Sequence, residues 1–119
     1  MNNLFSPAGG WRVRILDLSG AVPDRVVEEI GGFTTLMHAN AFARRYVRDS
    51  IERCRGPGMT PREVLNVWFA FGEDAEIVDG GDAAWRSSTE LADFAAEPAD
   101  DESCDWRSLD PRRISDDAE

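Results

Sequence analysis

The stretch TPREVLNVWFAFGEDAEIV, Thr60 to Val78, decides the fold because it reads as helix, stop and strand in one pass. Thr60 at the N-cap, Pro61 at the first helical position and Glu63 closing a capping box satisfy the first free amides, so a helix starts here. It runs to about Phe71, and Gly72 is placed as its C-terminal cap. Val64, Leu65, Val67, Trp68, Phe69, Ala70 and Phe71 leave hardly any polar face in its second half. Such a helix end needs cover on more than one side, from the sheet and another helix or from a partner. Ala75-Glu76-Ile77-Val78 is then a short strand, stopped by Asp79-Gly80-Gly81.

Toward the N-terminus, WRVRILDL over residues 11–18 alternates as a strand, with Trp11, Val13 and Ile15 on one face and Arg12 and Arg14 on the other. Leu16 and Leu18 make the second face apolar at the far end. Residues 25–33, RVVEEIGGF, fit a helical turn through Val26, Val27 and Ile30. Their β-branched content and the Gly31-Gly32 pair favour a bulged strand, antiparallel to the first. Thr34 or Thr35 then caps a long amphipathic helix over about 36–54, with Ala39, Phe42, Ala43, Tyr46, Val47, Ser50, Ile51 and Cys54 following at helical spacing along its inner stripe. Its other face carries Arg44, Arg45, Arg48, Asp49, Glu52 and Arg53 at pairing distance, as a solvated face would.

Beyond Gly81, either Asp82 caps a helix containing Trp85 or Ser87 caps one through Ser87-Ser88-Thr89-Glu90, with Leu91, Phe94 and Ala95 as its stripe. From Glu97 on, acids, serines and arginines surround only Trp106, Leu109 and Ile114 as large apolar residues, which predicts a disordered acidic tail over 97–119. Residues 1–10 read as a flexible N-terminus and 11–96 as a single domain. The order β-β-α-α-β-α makes this an α+β protein, with a small, three-stranded, largely antiparallel sheet and helices packed on one face.

Charge divides sharply at the end of the aromatic helix. Residues 1–72 hold nine arginines against seven acids, whereas residues 73–119 hold four arginines against sixteen acids, for a net −10 overall. Such an acidic half repels nucleic acid and anionic membranes and attracts basic partners. All thirteen basic residues are arginine, which reflects coding composition more than a physical need. No stretch is apolar enough to cross a membrane and no signal peptide is seen, so a cytoplasmic location is expected.

The layout resembles a family of small bacterial α+β proteins whose function is uncharacterised. The matching pieces are Val13–Asp17, a strand ending in an aspartate turn; Gly32–Thr35, a helix entry; Met59–Val64, a capped helix start; and Phe69–Val78. Phe71-Gly72-Glu73-Asp74 is the most specific element, and the resemblance spans about residues 11–96. It implies the fold and supplies no activity and no catalytic residue.

No pattern of residues points to catalysis. His38, the one histidine, opens the long helix with no nucleophile in a recognisable context. Cys54 completes an apolar stripe, and Cys104 lies among acids that disfavour its thiolate. Glu73, Asp74, Glu76, Asp79 and Asp82 miss the spacing of a calcium loop, and the glycine pairs form no phosphate loop. We therefore expect no cofactor, no metal and no catalytic residue. The reading is a small non-enzymatic binding or regulatory domain acting through protein contacts. Trp68, Phe69, Phe71, Glu73, Asp74 and Trp106 are its candidate contact residues, and the partner is a basic protein or a second copy. Two alternatives stand beside it. One is an acidic nucleic-acid mimic that inhibits a nucleic-acid-handling protein; the other is an enzyme of unfamiliar type using His38 with Glu73 or Asp74.

Overall fold

The computed structural model describes residues 7–21 and 23–113. Strand β1 (Trp11–Asp17) is central, flanked by β2 (Val26–Phe33) and β3 (Glu73–Ile77) in the order β2-β1-β3, antiparallel on both sides. Period-two alternation fixes the register: Val13 opposes Ile30 and Ile77, and Ile15 opposes Ala75, so their buried side chains share the covered face. The other face is a charged ladder, in which Glu29 accepts from Arg12 at 3.1 Å and Arg14 at 2.9 Å. β2 is a strand, as its β-branched content indicated, and its pairing with β1 is irregular at the Gly31-Gly32 end. Gly32 sits there at φ +91°, a conformation that L side chains rarely adopt.

Helix α1 (Leu36–Cys54) crosses the covered face of the sheet, burying Ala39, Phe42, Ala43, Val47 and Ile51. Thr35, of the two threonines, is its N-cap: Oγ1 accepts from the His38 amide at 3.0 Å. Helix α2 (Pro61–Phe71) begins with the complete capping box, Thr60 Oγ1 accepting from the Glu63 amide and Glu63 Oε1 from the Thr60 amide. After single 3-10 turns at Gly81–Ala83 and Ser87–Thr89, a short helix α3 (Leu91–Ala96) buries Phe94 and Ala95. Neither Asp82 nor Ser87 caps a longer helix here, because the segment breaks into turns that keep Trp85 half-buried against the core.

The chain does not leave the domain at residue 97. Residues 97–113 run back over α1 as a strap, and that part of the expected tail is packed. The expected tail beyond Arg113, like the first six residues of the expected flexible N-terminus, lies outside the described residues. The cause is the helix face read as solvated. Arg45 donates to the Asp105 carbonyl at 3.1 Å, Arg48 to the Glu97 carbonyl at 3.1 Å, and Asp49 accepts from the Trp106 indole at 3.0 Å. Of the pairs expected four residues apart along that face, Asp49–Arg53 forms at 3.1 Å, whereas Arg45 and Arg48 take the strap carbonyls and Glu52 pairs with Arg55 at 2.8 Å; Arg44 reaches Glu90 at 2.6 Å. At the strap's end Asp110 is buried and Arg112 bridges it to Glu28 of β2, at 2.7 and 2.8 Å.

Candidate functional site

The elements converge on a cleft of about 430 Å³ where α1, the end of α2 and the start of β3 meet. Ser50 on α1 is the hub beneath it. Its Oγ accepts from the Trp68 indole at 3.1 Å and from the Glu73 amide at 2.9 Å, which ties both neighbouring elements to α1. Trp68 is therefore a core residue, 1% exposed, and offers no surface to a partner. Its indole lies against the chain reversal. A Cβ placed on Gly72 would stand 2.3 Å from Trp68 Cδ1.

This explains Gly72 differently from the sequence. The residue sits at φ −83°, ψ −171°, extended backbone open to any residue, and not in the left-handed conformation of the usual glycine cap. Glycine is required for room.

Glu73 leads out of the reversal and Oε1 accepts from the Tyr46 hydroxyl at 2.6 Å. Burial, and then this neighbouring carboxylate, push the Tyr46 phenol far above its ordinary range, so it is a fixed donor. Asp49 Oδ2 accepts from both the Trp106 indole and Arg53. Asp17, at the end of β1, adds a third carboxylate, held below the ordinary range by the amide and hydroxyl of Ser19. Three acids against Arg53 leave the lining net negative.

Aromatic rings form the walls. Tyr46 and Trp106 lie 4.9 Å apart between centroids, and Trp106 also meets Phe42 edge-on at 5.9 Å. Trp106 is thus turned inward, half-buried, as part of the cleft's wall. Phe71, also on the lining, is 73% exposed, and Phe69, two residues earlier on α2 and off the lining, is 56% exposed. Only Val64 and Trp68 of α2 are fully buried, so the cover that its apolar second half requires is incomplete.

Asp74 faces elsewhere. It lines a second hollow of about 410 Å³ along the free edge of β3, together with Trp85 and Ser87. There Asp74 Oδ1 accepts from the Ala75 amide at 2.8 Å, and burial lifts the carboxyl above its ordinary range despite that bond and one from Ser87.

The structure brings Phe71, Glu73 and Trp106 together on the cleft's lining, leaves Phe69 exposed off that lining, and separates Trp68 and Asp74 from them. Asp17, Tyr46, Asp49 and Arg53 were missed as members of the cleft. Tyr46 and Asp49 lie one turn apart on α1, but nothing local in the sequence showed that Trp106 would return to meet them. His38 stands apart, its Nε2 2.7 Å from the Leu109 carbonyl and its ring edge-on to Phe33 at 5.0 Å. The Cys54 thiol, on the cleft's lining, is raised by burial; that of Cys104 is pushed up to about 11 by burial and by Asp49 and Glu52. Neither is a ready nucleophile. Among the described residues no helix is long and apolar enough to cross a membrane. No protein-family model, no curated protein and no solved structure matches the chain.

Proposed function

We propose that this protein is a small binding domain that acts through contacts with another protein, docked on the outer side of α2 and the acidic cleft beside it. The carrying observation is the exposure of Phe69 and Phe71 on a helix whose apolar face is only partly covered. Large aromatics left in water at two positions of one short helix offer a contact surface. The partner's surface is basic with an apolar anchor, because Phe71 shares the cleft's lining with Asp17, Asp49 and Glu73. Affinity capture with the full chain against Phe69→Ser and Phe71→Ser tests it. A partner retained by the natural chain and lost by both variants supports the reading; a partner retained by all three refutes it. Sedimentation of the purified protein separates a hetero-partner from a second copy.

A second reading is favoured by one observation. The strap holds Asp101, Glu102 and Asp105 on a surface packed against α1, as an acidic mimic of nucleic acid requires. Under it, capture of a nucleic-acid-handling protein weakens steeply with salt and is lost in Asp101→Asn/Glu102→Gln, while Phe69→Ser leaves it intact.

A further inference from the structure

We infer that the cleft is a recognition site for an organic cation, a guanidinium or alkylammonium head. A basic side chain of the partner proposed above is one source of such a head and a free small cation is the other. The inference rests on that reading only in its first source. Three aromatic residues line the space: Tyr46 and Trp106, packed on each other at 4.9 Å, and Phe71, whose ring is the exposed one. Ring faces attract delocalised or alkylated cations, and the surrounding carboxylates supply the counter-charge.

The state of the acids selects the kind of cation. Both oxygens of Asp17 accept from Ser19, Asp49 serves Trp106 and Arg53, and Glu73 holds the Tyr46 hydroxyl. A hard metal ion needs several bare carboxylate oxygens at once, and this lining does not offer them. A soft cation is satisfied by one free carboxylate lone pair and a ring face. The chain already makes both contacts with its own arginines. The Arg107 guanidinium lies 4.3 Å from the Trp106 ring centroid, and Arg53 reaches Asp49 at 3.1 Å. Anions are repelled by the net negative lining, and the volume of about 430 Å³ admits a head group with its stem.

The test is a titration of the full chain, followed by the indole N–H resonance of Trp106. The probes are N-acetyl-arginine amide, choline, and the neutral isostere N-acetyl-citrulline amide. A saturable shift with either cation and none with citrulline amide at the same concentration is the expected result. Glu73→Gln keeps an acceptor for Tyr46 and removes the charge, and Phe71→Leu removes a ring from an exposed position. Each weakens cation binding about five-fold, the size of one such contact. Citrulline amide binding as well as arginine amide, or no saturable shift with either cation, overturns the inference. A short basic peptide bound about ten-fold tighter than the lone amide assigns the head to a partner's side chain, and equal affinities assign a free cation. Phe69 lies outside the lining, so Phe69→Ser leaves cation binding unchanged while removing the partner. Failure of the cation site and failure of the docking surface are thereby told apart.

Discussion

At the scale of single residues, Gly72 shows how a correct reading can have the wrong cause. A glycine after an apolar helical run is a stop signal, and the helix does stop there. The usual reason is a left-handed backbone, yet this glycine is extended and excludes a Cβ because the Trp68 ring fills the space. Gly72→Ala therefore costs about 1–3 kcal/mol by overpacking, read as a lower urea midpoint. A backbone-only requirement would instead make Gly72→Asn better tolerated than Gly72→Ala, since asparagine visits left-handed conformations; under overpacking the larger side chain is the worse of the two. Asp74 argues in the opposite direction. Its carboxyl is raised, chiefly by burial, so its charged form is less stable in the folded protein than in the unfolded chain. That penalty is absent in acid and grows as pH rises through the raised value. Asp74→Asn keeps an acceptor for the Ala75 amide and removes the penalty, so it melts a few degrees higher at neutral pH. The advantage shrinks to nothing in acid, where the natural carboxyl is also neutral. A variant that melts lower at neutral pH contradicts this account.

At the scale of elements, local rules carried most of the fold. The capping box at Thr60-Glu63 and the N-cap at Thr35 both form, because each depends only on residues within one turn. Thr60→Ala removes the Oγ1 acceptor of the Glu63 amide, while the bond from the backbone amide of residue 60 to Glu63 can remain, and costs about 1 kcal/mol in thermal or urea unfolding. Alternation was legible in β1 for the same reason: it reports which face is wet, whatever lies across it. The aromatic helix was half legible. Periodicity identified an apolar half-helix but could not say which rings would find cover, since that depends on where α1 and α3 lie. Adjacent residues carry the distinction. Trp68→Ala costs about 3–5 kcal/mol, whereas Phe69→Ala stays within about 0.5 kcal/mol of the natural protein. Similar losses at the two positions would mean that the outer side of α2 is buried.

At the scale of the whole molecule, the strap is where sequence reasoning stopped short. Composition judged residues 97–113 by their own apolar content, three large residues from Glu97 to the end, which is too little for independent order. What composition could not weigh was the surface waiting for them. Arg45 and Arg48 on α1 donate to strap carbonyls, His38 meets the Leu109 carbonyl, and Trp106 packs on Phe42 and Tyr46. Part of the signal lay in the four arginines on α1's outer face; two of them take strap carbonyls and neither of those a strap carboxylate, so charge alone did not reveal the contact. Two measurements follow from this packing. Asp110 is buried, which alone would raise its carboxyl, but its bonds from Arg112 outweigh burial and hold it below the ordinary range. Its pairing therefore stabilises fully above the unfolded value and is lost as pH falls through the lowered folded one. Asp110→Asn is destabilised at neutral pH, and the gap to the natural protein closes in acid. Truncation after Pro98 is the stronger test. It strips the cover from Phe42 and Tyr46, leaves Arg45 and Glu28 without the strap partners described above, and leaves Asp49 with Arg53 alone. Burial of Trp106 and Leu109 alone contributes about 1.5–3 kcal/mol per fully covered side chain, less for these half-covered ones. The truncated chain should unfold at clearly lower urea, with α1 and the sheet still formed before the transition. An unchanged midpoint would show that the strap merely lies on the domain, and Trp106 would then cease to be a fixed wall of the cleft.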